Sequence, residues 1–155
     1  MKTKQILFTA VHKAELVETE IESPVGNEAL VKMEYTVISG GTERACLMGM
    51  NNTSQKFPQG LGYCGIGRVE EIGPEVKSLA VGDRVLVYHG KHQVYNVRPE
   101  HKLTKVENDD IPSVEAAFVI IASMGLGGMR KLELELGESA MVMGMGLLGI
   151  FALQF

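Results

Sequence analysis

Up to Asp110 the apolar and polar positions alternate in short runs bounded by glycine, proline and asparagine, the pattern of β-strands joined by turns. Lys4–Ala10 and Ala14–Glu22 read as two strands around a short turn. Leu16 and Val17 are adjacent and break the alternation, which leaves the register of the second strand open. Ser23–Asn27 is a turn cluster, and Glu28–Ser39 follows as a longer strand. In it Leu30, Lys32 and Glu34 oppose Val31, Met33 and Tyr35; neither face is wholly apolar, so one borders a shared surface. A glycine-containing strand spans Gly62–Gly73, and the Gly82-Asp83 turn leads into a strand over Arg84–Tyr88. Gln93–Arg98 is another, closed by Pro99. Many short strands at this spacing predict a small barrel or sandwich.

Two segments depart from that pattern. At Ser39-Gly40-Gly41-Thr42-Glu43 two glycines free the backbone, and Thr42 is placed to cap a short helix starting at Glu43. Asn51–Gln59 is polar and reads as a surface loop. After Ile111-Pro112-Ser113 the period changes. Val114–Met124 predicts a helix entered through proline, Leu126–Leu136 a second helical piece, and Ser139–Met143 a short apolar strand. The chain thus divides into a mainly β unit, 1–112, and a segment, 113–155, that opens an α/β domain.

A chain of 155 residues builds one domain with a real core and is too short for two full ones. Net charge is −4, and the basic residues are scattered, which argues against nucleic acid or an acidic membrane surface as partner. The start lacks the apolar stretch of a signal peptide, and Cys46 and Cys64 form no C-x-x-C pair. Two free thiols in a reducing cytoplasm are expected. Ala140–Phe155 carries no charge, yet it falls short of the roughly 18 to 20 residues that cross a bilayer. It reads as a buried strand, turn and helix.

That turn is Gly144-Met-Gly146-Leu147-Leu148-Gly149, a G-x-G-x-x-G pattern behind an apolar run. Gly144 would make the tight turn, Gly146 would admit a pyrophosphate, and Gly149 would let helix and strand pack closely. Amides of Leu147, Leu148 and Gly149 would then hold phosphate oxygens. The alternative is a glycine-containing core turn. A dinucleotide site also wants a ribose-reading residue about 20 positions further on, and six residues follow Gly149. We therefore expect the start of a truncated nucleotide fold that binds NAD or NADP weakly or not at all by itself.

Four segments in order, EALVKMEYTVISGGTE, LGYCGIGRVEEIGPEVKSLAVGDRVLV, Ala116–Phe118 and AMVMGMGLLG, resemble the medium-chain dehydrogenase/reductase superfamily. These are alcohol dehydrogenase-like enzymes with a GroES-like amino-terminal domain. The resemblance implies a partly open β-barrel with short helices, followed by a Rossmann domain. It also implies hydride exchange between NAD or NADP and a small-molecule alcohol, carbonyl or activated alkene. Zinc-dependent relatives carry a catalytic cysteine where this chain has Gly40, a Gly-His-Glu motif where it has Gly62-Tyr63-Cys64, and a later carboxylate where it has Ile120. The cysteine-rich structural zinc lobe has no counterpart. SGGTERA, GYCGIGRV and GKHQVY together resemble a narrower zinc-lacking branch, similar to bacteriochlorophyllide dehydrogenase-like proteins. No zinc is expected, though Cys64 with His89 or His92 is an alternative ligand set.

Without metal, a proton or hydrogen-bond donor must stabilise the substrate oxygen. Four residues are candidates. Thr42 matches the relatives' proton-relaying hydroxyl, and also suits a helix cap. Glu43 matches an acid near the metal shell; it is a base if burial raises its pKa, or a plain first-turn carboxylate. Tyr63 is a phenol donor or a rim aromatic. His92 titrates near neutral pH or is a loop residue without a role. The competing readings are a non-catalytic GroES-like binding or structural module and a quinone or enone reductase. Uncovered apolar surface near Phe155 would favour a homo-oligomer.

Overall fold

The computed structural model describes all residues, Met1–Phe155. Eight strands and four helices follow in the order β1 (Lys2–Ala10), β2 (Lys13–Glu20), β3 (Glu28–Val37), α1 (Gly40–Leu47), β4 (Gln59–Gly60), β5 (Cys64–Ile72), β6 (Arg84–Tyr88), β7 (Tyr95–Pro99), β8 (Leu103–Lys105), α2 (Ser113–Ala116), α3 (Val119–Lys131) and α4 (Leu147–Gln154). They form two compact units, Met1–Ala117 and Phe118–Phe155.

The first unit is a curled, partly open barrel of two antiparallel sheets, ordered β2-β1-β4 and β7-β3-β5-β6-β8. Valine-rich strands form it because β-branched side chains pack well on a pleated, half-buried surface. Ala29, Val31, Val69, Val85, Val87, Leu79 and Leu103 make the core, with Met33 and Val76 against it. Each fully buried valine contributes about 1.5–3 kcal/mol relative to an exposed one. The opposite face of β5 and β6 is covered too, since Ile66 is 0 % exposed.

Strand β3 carries irregularities that the alternation did not disclose. Its register against β5 shifts between Leu30 and Val31 and again between Met33 and Tyr35. At the first the extra residue is Glu70 of β5; at the second it is Glu34 of β3, where it changes which face the following β3 side chains occupy. Leu30 and Val31 are both buried, since both faces of β3 are covered there. The two sheets are joined by residues 92–94, which bond across the gap. Ile6 N–H donates to the His92 carbonyl (2.9 Å), Val94 N–H to that of Lys4 (3.0 Å), and Met33 N–H to that of Val94 (2.8 Å). Arg84, buried, ties residues 108–111 to the barrel through the carbonyls of Asn108 (2.6 Å) and Ile111 (2.8 Å).

Within the second unit α3 and α4 pack together, with the Phe118 and Phe151 rings 6.4 Å apart. Two expectations change here. The helix break falls at Ala117–Phe118 rather than at Gly125, so α3 runs on to Lys131. Ser139–Met143 is not a strand: a strand exists only as part of a ladder, and these residues pair with no backbone within the chain. The short strands β4 and β8 were invisible in the sequence, because two or three residues carry no period.

Ile66→Ala should cost about 2–5 kcal/mol through the cavity it leaves. Leu16→Ala, at a side chain 67 % exposed, should stay within about 0.5 kcal/mol. Urea unfolding of both variants measures the contrast.

Candidate active site

Helix α1 begins one turn earlier than the sequence suggested. Ser39 is its N-cap residue, and Thr42 lies inside the first turn, exposed, so it does not cap. The two glycines that seemed to precede the helix belong to it. Its buried side is Glu43 and Cys46, three residues apart and therefore on one face. Glu43 reaches back so that its Oε1 accepts the Ser39 N–H at 2.7 Å, satisfying a donor that the helix itself cannot.

The other carboxylate oxygen meets His92. Nε2 of His92 lies 2.8 Å from Glu43 Oε2, and Nδ1 lies 2.8 Å from Thr36 Oγ1. Glu43 is 8 % exposed and His92 7 %. An ionised carboxylate only accepts, so Nε2 donates to it; in the neutral ring Nδ1 then accepts from the Thr36 hydroxyl. The segment carrying His92 is brought in by Gly62, at φ +151°, where a Cβ would stand 2.7 Å from Lys91 Cα and 2.8 Å from His92 N. That approach is sealed by the His92 N–H bond to the Leu61 carbonyl at 2.8 Å. Burial by itself pushes the Glu43 carboxyl up. The hydrogen bonds from His92 and the Ser39 amide outweigh it and hold the pKa below the ordinary glutamate value. Glu43 is thus ionised at rest, its carboxyl lowered rather than raised.

Tyr63 sits half-buried at the edge of an aromatic group, 5.9 Å from the Tyr88 ring in an edge-to-face arrangement and 5.4 Å from His89. Lys102 Nζ stands 4.8 Å over Tyr88. Burial, then the hydrogen bond and charge of Tyr88, raise the Tyr63 phenol above its ordinary value, so it keeps its proton as a donor. Cys64 is a buried thiol pushed up to about 11 by burial and by the Glu43 charge, with Sγ 3.7 Å from the Ala117 carbonyl.

The structure thus joins Glu43 and His92, two of the four candidates, and adds Thr36. Thr36 had no sequence signal, because nothing local marks a strand threonine as facing an imidazole 56 positions away.

Among the glycines of the second unit, Gly144 adopts φ +90° and Gly146 caps α4. A Cβ on Gly149 would collide with the Gly144 carbonyl oxygen. Leu147, Leu148 and Gly149 form the first turn of α4, whose amides have no acceptor within the helix. These features fit a turn that cradles a pyrophosphate.

Residues 26–134 match the alcohol dehydrogenase GroES-like domain. The chain belongs to that family. It is a member of the medium-chain dehydrogenase/reductase superfamily, and the barrel is its GroES-like fold. An uncharacterised zinc-type alcohol dehydrogenase-like protein of Escherichia coli is 24 % identical over 99 % of this chain and 54 % of its own length. L-threonine 3-dehydrogenase of Thermococcus kodakarensis is 33 % identical over 72 % of this chain and 33 % of its own. An Escherichia coli alcohol dehydrogenase structure complexed with NADH superposes with a TM-score of 0.86 at 20 % identity, over 99 % of this chain and 52 % of that one. The chain spans about half the length of the first of these curated relatives, or less.

The GroES-like barrel brings no three His, Cys, Asp or Glu side chains together. Zinc wants about four N, S or O ligands in a tetrahedron. Here Glu43 and His92 are bonded to each other, and Cys64 holds its proton. The residues present do not fit the metal.

Because the Glu43 pKa is lowered on folding, its contribution to stability is complete above the ordinary glutamate value and is lost as pH falls through the lowered one. Urea titrations across the acid range should therefore show a shallower loss of stability in Glu43→Gln than in the parent chain. An unchanged acid slope would contradict the assignment.

Proposed function

We propose that this chain is the substrate-side portion of a zinc-independent, NAD- or NADP-dependent oxidoreductase acting on an alcohol or carbonyl. The observation that carries the reading is the buried Glu43–His92 bridge, in which the two potential ligands are bonded to each other. When bound, the nicotinamide supplies or accepts the hydride. What falls to this chain is orientation and handling of the oxygen's proton. Glu43 is a carboxylate on α1, ionised at rest, His92 is held by two bonds, and Tyr63 is a phenol donor at the rim. Thr42, exposed on the first turn of α1, is free to rotate its hydroxyl toward a bound substrate.

Gly144, Gly146 and Gly149, with the amides of Leu147 and Leu148, would hold the nucleotide's pyrophosphate. The isolated chain would bind it weakly, since the turn is one half of a dinucleotide grip. The quinone- or enone-reductase reading remains within this proposal, and substrate profiling separates it from an alcohol dehydrogenase. No helix is long and apolar enough to cross a membrane; we place the protein in the cytoplasm because its two cysteines are free.

Calorimetric titration of NAD and NADP into this chain, and into the chain extended along its gene, tests the reading. Saturable binding and turnover only in the extended form, unaffected by chelators, is the expected result. Activity lost on chelation and restored by zinc would overturn the metal-free claim. Leu136, Met141, Met143 and Leu153 are exposed. Such apolar surface invites self-association, so light scattering at rising concentration should report dimers or larger species.

A further inference from the structure

A groove of about 300 Å³ opens on the barrel surface, lined by Lys4, Ile6, Glu34, Thr36, His92 and Val94 among others. It has room for several waters. Behind it, Thr36 Oγ1, the His92 ring and Glu43 Oε2 stand in a row, each contact 2.8 Å. We propose that Thr36–His92–Glu43 is a proton line between the groove and helix α1, with Thr36 as the positioning residue that links His92 Nδ1 to the groove. This rests on the reading above that the chemistry takes place beside α1.

Three independent observations converge on it. The first is burial: Glu43 and His92 are almost sealed from solvent, whereas Thr36 is half-buried and lines the groove. A proton reaching or leaving Glu43 by this side must therefore cross the imidazole. The second is the chemistry of the ring, the one side chain that takes a proton at one nitrogen and gives one from the other near neutral pH. The third is the irregularity in β3. Met33 pairs with Gly67 and Tyr35 with Ile66, so Glu34 is an extra residue. It puts Thr36, opposite Gly65, on the same face as Met33, against the barrel interior. With regular alternation Tyr35 would occupy that face and Thr36 would point outward. Bulges recur where a functional side chain has to be re-aimed.

The exchange balances as follows. A solvent proton binds Thr36 Oγ1 as that oxygen releases its own to Nδ1, and the Nε2 proton crosses to Glu43 Oε2. One proton enters, the carboxylate becomes a neutral acid, and the ring ends neutral with its hydrogen on Nδ1. The reverse passage discharges Glu43. Carbonyl reduction needs a proton at the oxygen as hydride reaches the carbon, and alcohol oxidation releases one. The line serves either direction without a metal.

The test is imidazole nitrogen NMR on this chain, with no nucleotide or substrate added. In the parent chain His92 should show a protonated Nε2 and a bare, hydrogen-bonded Nδ1. In Thr36→Val the Nε2 hydrogen should exchange with water about tenfold more slowly, the scale of one lost hydrogen bond, and Thr36→Ser should restore the rate. Faster exchange in Thr36→Val would mark the hydroxyl as a mere brace that keeps the ring in place, and an unchanged rate would remove it from any path. Either result overturns the line. Should the valine variant fail to fold, the parent spectrum still decides: a hydrogen resting on Nδ1 with Nε2 bare contradicts the assignment. None of these outcomes depends on nucleotide binding, so failure of the oxidoreductase reading would show separately in the calorimetry.

Discussion

Residues 92–94 hold the barrel's two sheets together, and the rest of the site depends on that seam. Strand β1 belongs to one sheet and β3 to the other, and this segment bonds to both through main-chain groups. Backbone hydrogen bonds within a barrel wall are close to obligatory, because an unpaired buried amide costs as much as the bond it lacks. The seam is therefore fixed in register, and its first residue, His92, is delivered to a set position in the interior. An imidazole on a free loop would have no reason to stay in line with a carboxylate on α1.

The pair so formed is costly to build. Taking a carboxylate and an imidazole out of water carries a desolvation penalty that mutual attraction only partly offsets. What makes the arrangement tolerable is that the polar atoms are satisfied. Glu43 is bonded on both oxygens, to Ser39 and His92, and the second ring nitrogen is bonded to Thr36. Networks in a low-dielectric interior are stable when complete and fragile when broken. The result is a closed hydrogen-bonded row of Thr36, His92 and Glu43.

Helix α1 and the glycine turn show two uses of a helix start. In α1 the N-cap amide of Ser39 is answered from inside the protein, by the Glu43 carboxylate folding back on it. In α4 no side chain caps the end, and Gly146 leaves the amides open to a ligand. The difference follows from the side chains at hand: a glutamate one turn in, against a run of leucine, isoleucine and phenylalanine that cannot accept a hydrogen bond.

The sequence by itself determined the strand-rich unit, its turns and the glycine turn, because alternation, Gly-Asp pairs and G-x-G-x-x-G act over a few residues. Arg84–Tyr88 matched its strand end to end, Glu43 was marked by its resemblance to an acid near the relatives' metal shell, and His92 by its place just before a strand. Tertiary structure alone decided that Glu43 faces His92, that Thr36 turns inward, and that 139–143 remains unpaired. Contacts between positions 36, 43 and 92 arise from sheet closure and from one extra residue in β3. Local pattern carries no record of either, since register and closure are set by partners far away in the chain.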